Sequence, residues 1–195
     1  MQPKARLEIR RKIIHILFGG LISILIYFNL FSLSFWIGFL ILAIIFSFIL
    51  KNWKIPFLSS LISSFERENE KIYFPLRGVI TFIFGCILDY LLFPVKEIAI
   101  CGIFSLFVGD SVAAVYGTFF GKIKYPWSSK KHVDASLVGV ILNSVFISIF
   151  FPFPKAILAS TFTFFFESFD IKIDSFPLDD NIFLPLLTGF VLILF

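Results

Sequence analysis

The stretch that decides the fold is IAICGIFSLFVGDSVAAVYGTFF, residues 98–120, in which Asp110 is the only charged residue. A helix of this length, at about 1.5 Å per residue, matches the roughly 30 Å hydrocarbon core of a bilayer. The rest of the chain has the same character, since 58% of its 195 residues are hydrophobic, 15% are charged and 30 are Phe. This composition excludes a disordered chain, a disulfide scaffold and a typical soluble enzyme, and it predicts a protein surrounded by lipid.

Seven apolar runs predict an all-α, polytopic membrane protein with about seven transmembrane helices, and residues 1–195 are expected to form a single domain. The runs cover about Ile13–Phe31, Leu33–Leu50, Val79–Phe93, Ile98–Phe120, Leu137–Phe151, Ala156–Phe166 and Ile182–Phe195. The first run follows a basic flank, as a secretory signal peptide does. It is longer than a typical signal-peptide core and no small-residue cleavage site follows, so we interpret it as the first membrane helix.

Lysine and arginine residues are distributed unevenly between the predicted loops. With the N-terminus in the cytoplasm and one crossing at each run, fifteen of the 17 fall on the cytoplasmic side, and only Lys96 and Lys155 fall outside. Because positively charged loops tend to stay in the cytoplasm, this asymmetry predicts a cytoplasmic N-terminus. The long loops, about 51–78, 121–136 and 167–181, lie on the same side. We therefore expect the active-site loops to face the cytoplasm.

Asp110 lies in the middle of an apolar run, where an ionised carboxylate costs on the order of 2.5–3.5 kcal/mol. A buried hydrogen bond to a neighbouring helix is one explanation, and a catalytic or ligand-binding role is another. Ala113, Gly117 and Gly121 follow at positions i+3, i+7 and i+11, so one helix face carries the carboxylate and then only small residues. Such a face is typical of close helix packing in lipid, and it also allows a ligand to lie against the backbone. The spacing alone does not decide between these two interpretations.

The loop after Gly121 contains Lys122, Lys130 and Lys131 together with serine hydroxyls. Lysine ammonium groups beside serine donors suit phosphate oxygens, so the loop is a candidate triphosphate site. A loop that contacts anionic lipid headgroups has the same composition, and this alternative stays open.

The third cytoplasmic loop is acidic, with Glu167 at its start and Asp179-Asp180-Asn181 at its end. Adjacent carboxylate and amide oxygens are the hard ligands that Mg²⁺ prefers, with substrate phosphates completing its shell. A solvated acidic loop is the alternative. Lysines for phosphate and carboxylates for Mg²⁺ are what phosphoryl transfer requires, because its catalysis depends mainly on positioning and charge neutralisation. The chain contains neither a Walker-type loop nor a protein-kinase Gly-rich loop.

These motifs resemble those of the CTP-dependent lipid kinases, the family of dolichol kinase, phytol kinase and the fungal-type diacylglycerol kinase. The family's nucleotide motif is Asp-x-x-Ala-x-x-x-Gly-x-x-x-Gly followed by Lys-Lys-x-x-Glu-Gly-Ser/Thr. It is matched here by Asp110, Ala113, Gly117, Gly121, Lys130, Lys131 and Ser136. Asp134-Ala135 stands in place of Glu-Gly. Its acidic block is matched by Glu167, Asp179-Asp180-Asn181 and Pro185-Leu186. Its opening pattern is matched by Arg11-Lys12-Ile13-Ile14-His15.

The resemblance implies a small prokaryotic-type kinase that uses CTP and Mg²⁺ to phosphorylate the hydroxyl of a membrane lipid alcohol, such as a polyprenol or dolichol, a phytol-type isoprenoid or diacylglycerol. The residues that it implies for CTP binding are Ala113, Gly117, Gly121, Lys122, Lys130, Lys131 and Ser136. Those that it implies for Mg²⁺ binding are Glu167, Asp179, Asp180 and Asn181. The candidate catalytic residues are Asp110, Asp180 and His15.

Two other functions are compatible with parts of this pattern. A phospholipid cytidylyltransferase would also use CTP and Mg²⁺, but the signature of that family is not evident in the sequence. A small membrane transporter would explain carboxylates such as Asp110 and Asp89 inside apolar runs, but it would not explain why the polar residues concentrate on one side. No nucleic-acid partner is expected.

Overall fold

The computed structural model describes residues 3–30, 32–53, 65, 74–93, 95–128, 130–169, 172–173, 176–177 and 179–195. Within these residues the protein is all-helical apart from one small hairpin. The seven helices are α1 (Pro3–Tyr27), α2 (Leu33–Asn52), α3 (Arg77–Leu92), α4 (Lys96–Phe120), α5 (Val133–Ile147), α6 (Phe153–Glu167) and α7 (Asp180–Leu194). The hairpin pairs β1 (Lys172–Ile173) antiparallel to β2 (Phe176–Pro177). Each predicted apolar run overlaps one helix, so the all-α prediction is confirmed. Most of the predicted loop 51–78 lies outside the described residues, as do 170–171, 174–175 and 178.

The first helix begins well before the apolar run that marks it in the sequence. The run starts at Ile13 but α1 starts at Pro3. The Lys and Arg residues between these positions are good helix formers, and hydropathy detects only the part of a helix that contacts lipid or the core. The other end of α1 is defined by Asn29, which takes a left-handed conformation (φ 52°), while the N–H of Leu30 donates to the carbonyl of Leu25 (3.0 Å). The basic flank is therefore helical and continuous with the apolar part of α1.

Helix α4 is the centre of the bundle and packs against α1, α3, α5 and α7. Helices α2 and α4 are, among the described residues, those long and apolar enough to cross a membrane by length and composition. Helix α2 packs mainly on α3 and leaves large side chains such as Leu42 and Phe48 63% and 69% exposed. Exposed apolar surface of this extent favours a lipid environment. Crossing of the membrane by all seven helices, and the side that each loop faces, stay predictions.

Contacts between helix ends fall into two groups at opposite ends of the bundle. At one end, which we call the charged end, ion pairs join Arg77 to Asp179 (3.6 Å) and Lys131 to Glu167 (3.0 Å). At the other end, the carbonyl of Tyr27 accepts a hydrogen bond from Nζ of Lys96 (2.8 Å). The charged end therefore gathers the beginnings of α3 and α7, the loop before α5 and the end of α6. The end of α1 and the beginning of α4 meet at the opposite end.

A π-helical turn, Ser105–Asp110, interrupts the α-helical geometry of α4. Such a turn has i→i+5 hydrogen bonds and therefore contains one more residue than an α-helical turn. It ends at Asp110, the carboxylate that the sequence analysis singled out. The turn therefore determines which side of α4 Asp110 faces.

Candidate charged site at one end of the bundle

Six titratable side chains from separate segments lie close together at the charged end. We call this group the charged cluster, and its members are Lys12, His15, Asp110, Lys131, Glu167 and Asp180. They come from α1, α4, the loop before α5, the end of α6 and the start of α7. Five of the six were predicted site residues. Lys12 was not among them, although it was recognised as part of the opening motif.

Lys12 is the partner that stabilises Asp110 inside the bundle. Its Nζ donates to Oδ2 of Asp110, and the two side chains are only 14% and 10% exposed. A buried carboxylate needs a charge partner of this kind, because desolvation otherwise outweighs any packing gain. Lys12 could have been noticed from its position three residues before His15, which places both on one face of α1.

His15 lies one turn beyond Lys12 on α1 and close enough to Asp110 for their charges to interact. Its ring packs against that of Phe82, with 5.5 Å between the ring centroids. Nδ1 is buried and has no hydrogen-bond partner among the described residues. Because buried polar atoms are nearly always paired, this nitrogen is a candidate to contact a substrate hydroxyl or phosphate.

The lysine-rich loop before α5 folds as a hairpin. The N–H of Tyr125 donates to the carbonyl of Lys131 (3.2 Å), and the N–H of Val133 donates to the carbonyl of Ile123 (2.7 Å). At the tip, the buried Oγ of Ser128 accepts the N–H of Lys131 (3.2 Å). These backbone bonds hold Lys131 in a defined position, as a phosphate-binding loop requires.

The hairpin is attached to the end of α6 by three contacts besides its ion pair. Nε1 of Trp127 donates to Oγ of Ser168 (3.1 Å), and the Trp127 ring stacks on Phe169 with 4.9 Å between centroids. The ammonium group of Lys131 lies 3.0 Å from Oε1 of Glu167 and also donates to the Glu167 carbonyl. Lys131 therefore faces the cluster, whereas Lys130 is exposed and makes no ion pair with a described residue.

The balance of charge in the cluster is negative, since three carboxylates face two lysines. Burial, together with the carboxylates of Asp110 and Asp180, raises the pKa of Glu167 to about 7 against the opposing charge of Lys131. Asp180 is exposed at the start of α7, and partial desolvation beside the cluster is the main cause that raises its pKa. Burial alone would lower the pKa of Lys131, but Glu167 and Asp180 outweigh it and raise the pKa. The lysine thus stays charged, and the cluster has room for further positive charge.

Of the four predicted Mg²⁺ ligands, Asp179 and Asn181 are occupied by α3. Asp179 caps α7 by accepting the N–H of Asn181 (3.1 Å) and pairs with Arg77. The side-chain amide of Asn181 donates to Oγ1 of Thr81 (2.9 Å) and to the carbonyl of Gly78 (3.3 Å). Both residues therefore fix α7 against α3, and their predicted role as Mg²⁺ ligands stays a prediction.

The other two predicted ligands, Glu167 and Asp180, lie in the charged cluster with Asp110. In the part of the chain that the structure describes, no three His, Cys, Asp or Glu side chains are arranged to hold a metal ion. The predicted four-residue shell is therefore not assembled here. The donor set of the cluster nevertheless fits Mg²⁺ chemically, because carboxylate oxygens with excess negative charge are the ligands that this ion prefers.

The small-residue face of α4 is covered at Gly117 and Gly121. A Cβ on Gly121 would lie 2.6 Å from the carbonyl oxygen of Gly117 and 2.7 Å from Cγ of His132. A Cβ on Gly117 would lie 3.3 Å from Cβ of Ala135 in α5. The two glycines thus allow His132 and α5 to approach closely, which is the packing alternative.

The remaining predicted nucleotide ligands are divided between the interior and the surface. Ala113 and Ser136 are buried, and Lys122 is exposed. The N–H of Lys122 donates to Oδ2 of Asp134 (2.9 Å), and this bond is the main cause that lowers the pKa of that carboxyl. Asp134, which stands where the resembled family has Glu, therefore stabilises the base of the hairpin.

Asp89 lies apart from the charged cluster, between α3, α4 and α7. Its carboxyl group is fully buried, and neither oxygen has a hydrogen-bond partner among the described residues. A Cβ added to Gly102 would contact Oδ2 of Asp89 and would lie 2.8 Å from the carbonyl oxygen of Pro185. Gly102 thus lets the three helices meet around this carboxyl group.

No protein-family model matches the chain, and no solved structure matches it. The uncharacterized protein MJ1137 of Methanocaldococcus jannaschii is 30% identical over 189 residues. That alignment covers 95% of this chain and 92% of the archaeal protein. The chain therefore belongs to the same family as MJ1137.

Proposed function

We propose that this chain is an integral membrane kinase that transfers the γ-phosphoryl group of CTP to the hydroxyl of a membrane lipid alcohol. The observation that carries the proposal is the charged cluster. Ionisable groups far apart in the sequence, such as Lys12 and Asp110, lie together at one end of an apolar bundle. Such convergence of buried charges is costly and is typical of a functional site.

The lysines of the cluster are suited to bind the triphosphate. Lys131 is held by the hairpin and is partly buried, so its ammonium group can neutralise phosphate oxygens without first being ordered. Lys12, which pairs with Asp110, is the second cation of the cluster. The exposed Lys122 and Lys130 attract the nucleotide from solution, as point charges near a cleft do.

The carboxylates are suited to hold the cation that accompanies a nucleotide. Glu167 and Asp180 would hold Mg²⁺, and the charge of Asp110 acts on both of these carboxylates. When bound, Mg²⁺ would neutralise charge on the phosphates as the phosphoryl group is transferred. Asp179 and Asn181 would contribute indirectly by fixing the start of α7 against α3.

The reaction needs an acceptor for the proton of the lipid hydroxyl. The hydroxyl oxygen forms a bond to the γ-phosphorus, the bond from that phosphorus to the bridging oxygen breaks, and CDP leaves. The hydroxyl proton passes to Asp110. Asp110 becomes free to accept it when Lys12 leaves the ion pair and binds a phosphate oxygen instead. His15, with its unpaired buried Nδ1, is the second candidate for this role.

The arrangement of helix ends supports the predicted membrane orientation. The predicted cytoplasmic loops before α5 and after α6 meet at the charged end through Lys131 and Glu167, whereas Lys96, assigned to the outside, contacts the carbonyl of Tyr27 at the other end. An up-and-down bundle with seven crossings requires this sorting. The lipid alcohol would approach from the bilayer, and the choice of CTP as donor follows from the resemblance to the lipid kinases.

The test is the fate of the label in CTP. Purified protein in lipid nanodiscs is incubated with Mg²⁺, CTP labelled in either the α- or the γ-phosphate, and a panel of polyprenol, phytol-type and diacylglycerol substrates, together with phosphatidic acid as the acceptor that a cytidylyltransferase requires. Transfer of the γ-label alone to a lipid supports the kinase. Transfer of the α-label with release of pyrophosphate identifies a cytidylyltransferase instead. No transfer of either label contradicts both and leaves the transporter, for which Asp89 would be the first residue to test.

Variants connect the activity to the cluster. Asp180→Asn is expected to abolish transfer while the protein still inserts and purifies. Lys155→Ala, at the opposite end of the bundle, is the matched control and is expected to leave the rate unchanged. Equal rates in the two variants would remove Asp180 from the site.

A further inference from the structure

A set of buried side-chain hydrogen bonds joins α4, α5, α6 and α7 in the interior of the bundle. Oγ of Ser105 accepts hydrogen bonds from Nδ2 of Asn143 (2.8 Å) and Oγ1 of Thr188 (2.7 Å). Thr188 also shares a hydrogen bond with Thr163 (2.8 Å), and Asn143 donates to Ser160 (3.1 Å). All five residues are fully buried. We call them the polar lock.

The polar lock meets α4 at the first residue of the π-helical turn that ends at Asp110. In a regular α-helix, Ser105 and Asp110 would lie about 140° apart around the helix axis, since each residue turns by about 100°. The i→i+5 bonding of a π-helical turn brings its two ends to nearly the same side. The lock is therefore attached one turn away from Asp110 and on its side of the helix.

The backbone of the π-helical turn is also held by close packing. Gly109 lies against the ring of Phe164 so closely that any Cβ would clash. A Cβ on Gly139 of α5 would lie 3.1 Å from the carbonyl oxygen of Gly109 and 3.0 Å from Cε1 of Phe164. The turn is thus clamped between α5 and α6, and hydrogen bonds of the lock fix its position along α4.

We propose that the polar lock is a positioning device. Ser105, Thr188 and Asn143 hold the π-helical turn in register and so direct the carboxylate of Asp110 at Lys12 and at the reacting hydroxyl. Such turns interrupt the regular hydrogen-bond ladder and persist where the surrounding structure stabilises them. Without its hydroxyl partners the turn can revert to α-helical geometry, which would place Asp110 about 140° from Ser105 around the helix axis. The effect on the reaction rests on the proposed function, but the effect on Asp110 does not.

Two substitutions of Thr188 separate hydrogen bonding from packing. Thr188→Val keeps the shape and removes the hydroxyl, whereas Thr188→Ser keeps the hydroxyl and removes a methyl group. Positioning through the lock predicts that Thr188→Val lowers kcat by about 10- to 100-fold, because a small misplacement of a reacting group has this effect. KM for CTP stays within about twofold, since ground-state binding is not changed. Thr188→Ser is expected to be close to wild type. If Thr188 acts only through packing, Thr188→Ser should lower kcat more than Thr188→Val does.

A matched pair of serines provides a control. Ser105→Ala removes the central acceptor of the lock and is expected to act like Thr188→Val. Ser144 is buried on α5, next to Asn143, but its hydroxyl donates to the carbonyl of Val140 (2.7 Å), outside the lock. Ser144→Ala removes the same chemical group at the same depth and is expected to leave kcat unchanged.

Thermal unfolding in detergent tests the register without any assay of activity. If the lock directs Asp110 at Lys12, Thr188→Val weakens that ion pair as well as the lock. The drop in Tm caused by Thr188→Val should then be smaller in the Asp110→Asn background than in wild type, by about 2–4 °C, which is the shift expected for roughly 1 kcal/mol of coupling.

The proposal is overturned if Thr188→Val and Ser105→Ala keep the wild-type kcat, or if Thr188→Ser is the more damaging of the two Thr188 variants. If the wild-type protein has no kinase activity, the proposed function fails by itself and the unfolding experiment decides the positioning role. Additive losses of Tm then overturn it, and non-additive losses support it.

Discussion

Removal of the positive charge of Lys12 is expected to destabilise the protein strongly, because Asp110 then has no nearby partner of equal strength. The two side chains are 14% and 10% exposed, so most of their hydration is lost in the folded state. Breaking a buried ion pair by removing one partner costs about 3–5 kcal/mol. His15 and Lys131 also interact electrostatically with Asp110, and the pair of Lys12 and Asp110 keeps some contact with solvent. We therefore expect a loss of unfolding free energy at the lower limit of this range, about 3 kcal/mol.

For a protein of this size a loss of about 3 kcal/mol lowers Tm by roughly 6–12 °C. The assay is thermal unfolding of Lys12→Met in detergent, with Lys124→Met as the control, since Lys124 is exposed and its substitution should change stability by less than about 0.5 kcal/mol. The double variant Lys12→Met/Asp110→Asn removes both charges and is expected to recover most of the loss. If Lys12→Met unfolds at the control temperature, or if the double variant is no more stable than Lys12→Met, the ion pair does not stabilise the bundle as argued.

Further predictions concern the phosphate loop, the acidic side of the cluster and the packing of α7. Lys131→Ala should raise KM for CTP about tenfold or more, whereas Lys130→Ala, at an exposed position, should raise it only about twofold in the same steady-state assay. Because burial raises the pKa of Glu167 from 4.5 to about 7, the folded protein binds this proton more tightly than the unfolded chain. In the absence of metal, the free energy of unfolding should therefore decrease as the pH rises from about 4.5 to about 7, and Glu167→Gln should remove that slope in denaturant titrations. Gly85→Ala should lower the free energy of unfolding by about 1–3 kcal/mol, because its Cβ would clash with the backbone of α7. Gly38→Ala, with open space around it, should be neutral or slightly stabilising. Equal Tm values for the two variants would contradict the close approach of α3 and α7.

The helices could be predicted from the sequence because apolar runs are a local property of the chain. Even the shortest run, Ala156–Phe166, overlaps a helix, α6 (Phe153–Glu167). The start of α1 at Pro3 was missed for the same reason, since hydropathy does not register a helical segment rich in Lys and Arg. The π-helical turn Ser105–Asp110 was missed as well, because the apolar run continues through it and hydropathy does not distinguish π- from α-helical geometry.

The sequence identified most members of the charged cluster but not the contacts that each side chain makes. Asp110, Lys131 and Asp180 were identified by residue type and motif order, and they lie together. The sequence does not report which neighbours a side chain contacts, so the hydrogen bond from Asn181 to Thr81 was not predicted. The polar lock was not predicted, because isolated Ser, Thr and Asn residues in apolar helices carry no periodic signal.

The most direct test of the account is the transfer of phosphate from γ-labelled CTP to a long-chain lipid alcohol, measured as an initial rate for the wild type and Asp110→Asn under identical conditions. The account predicts a labelled lipid phosphate from the wild type and a rate lower by about 10²- to 10⁴-fold in the variant, the range expected for loss of a group that accepts a proton in the transition state. Equal rates of labelling, or a wild-type protein that labels none of the alcohols, would contradict it.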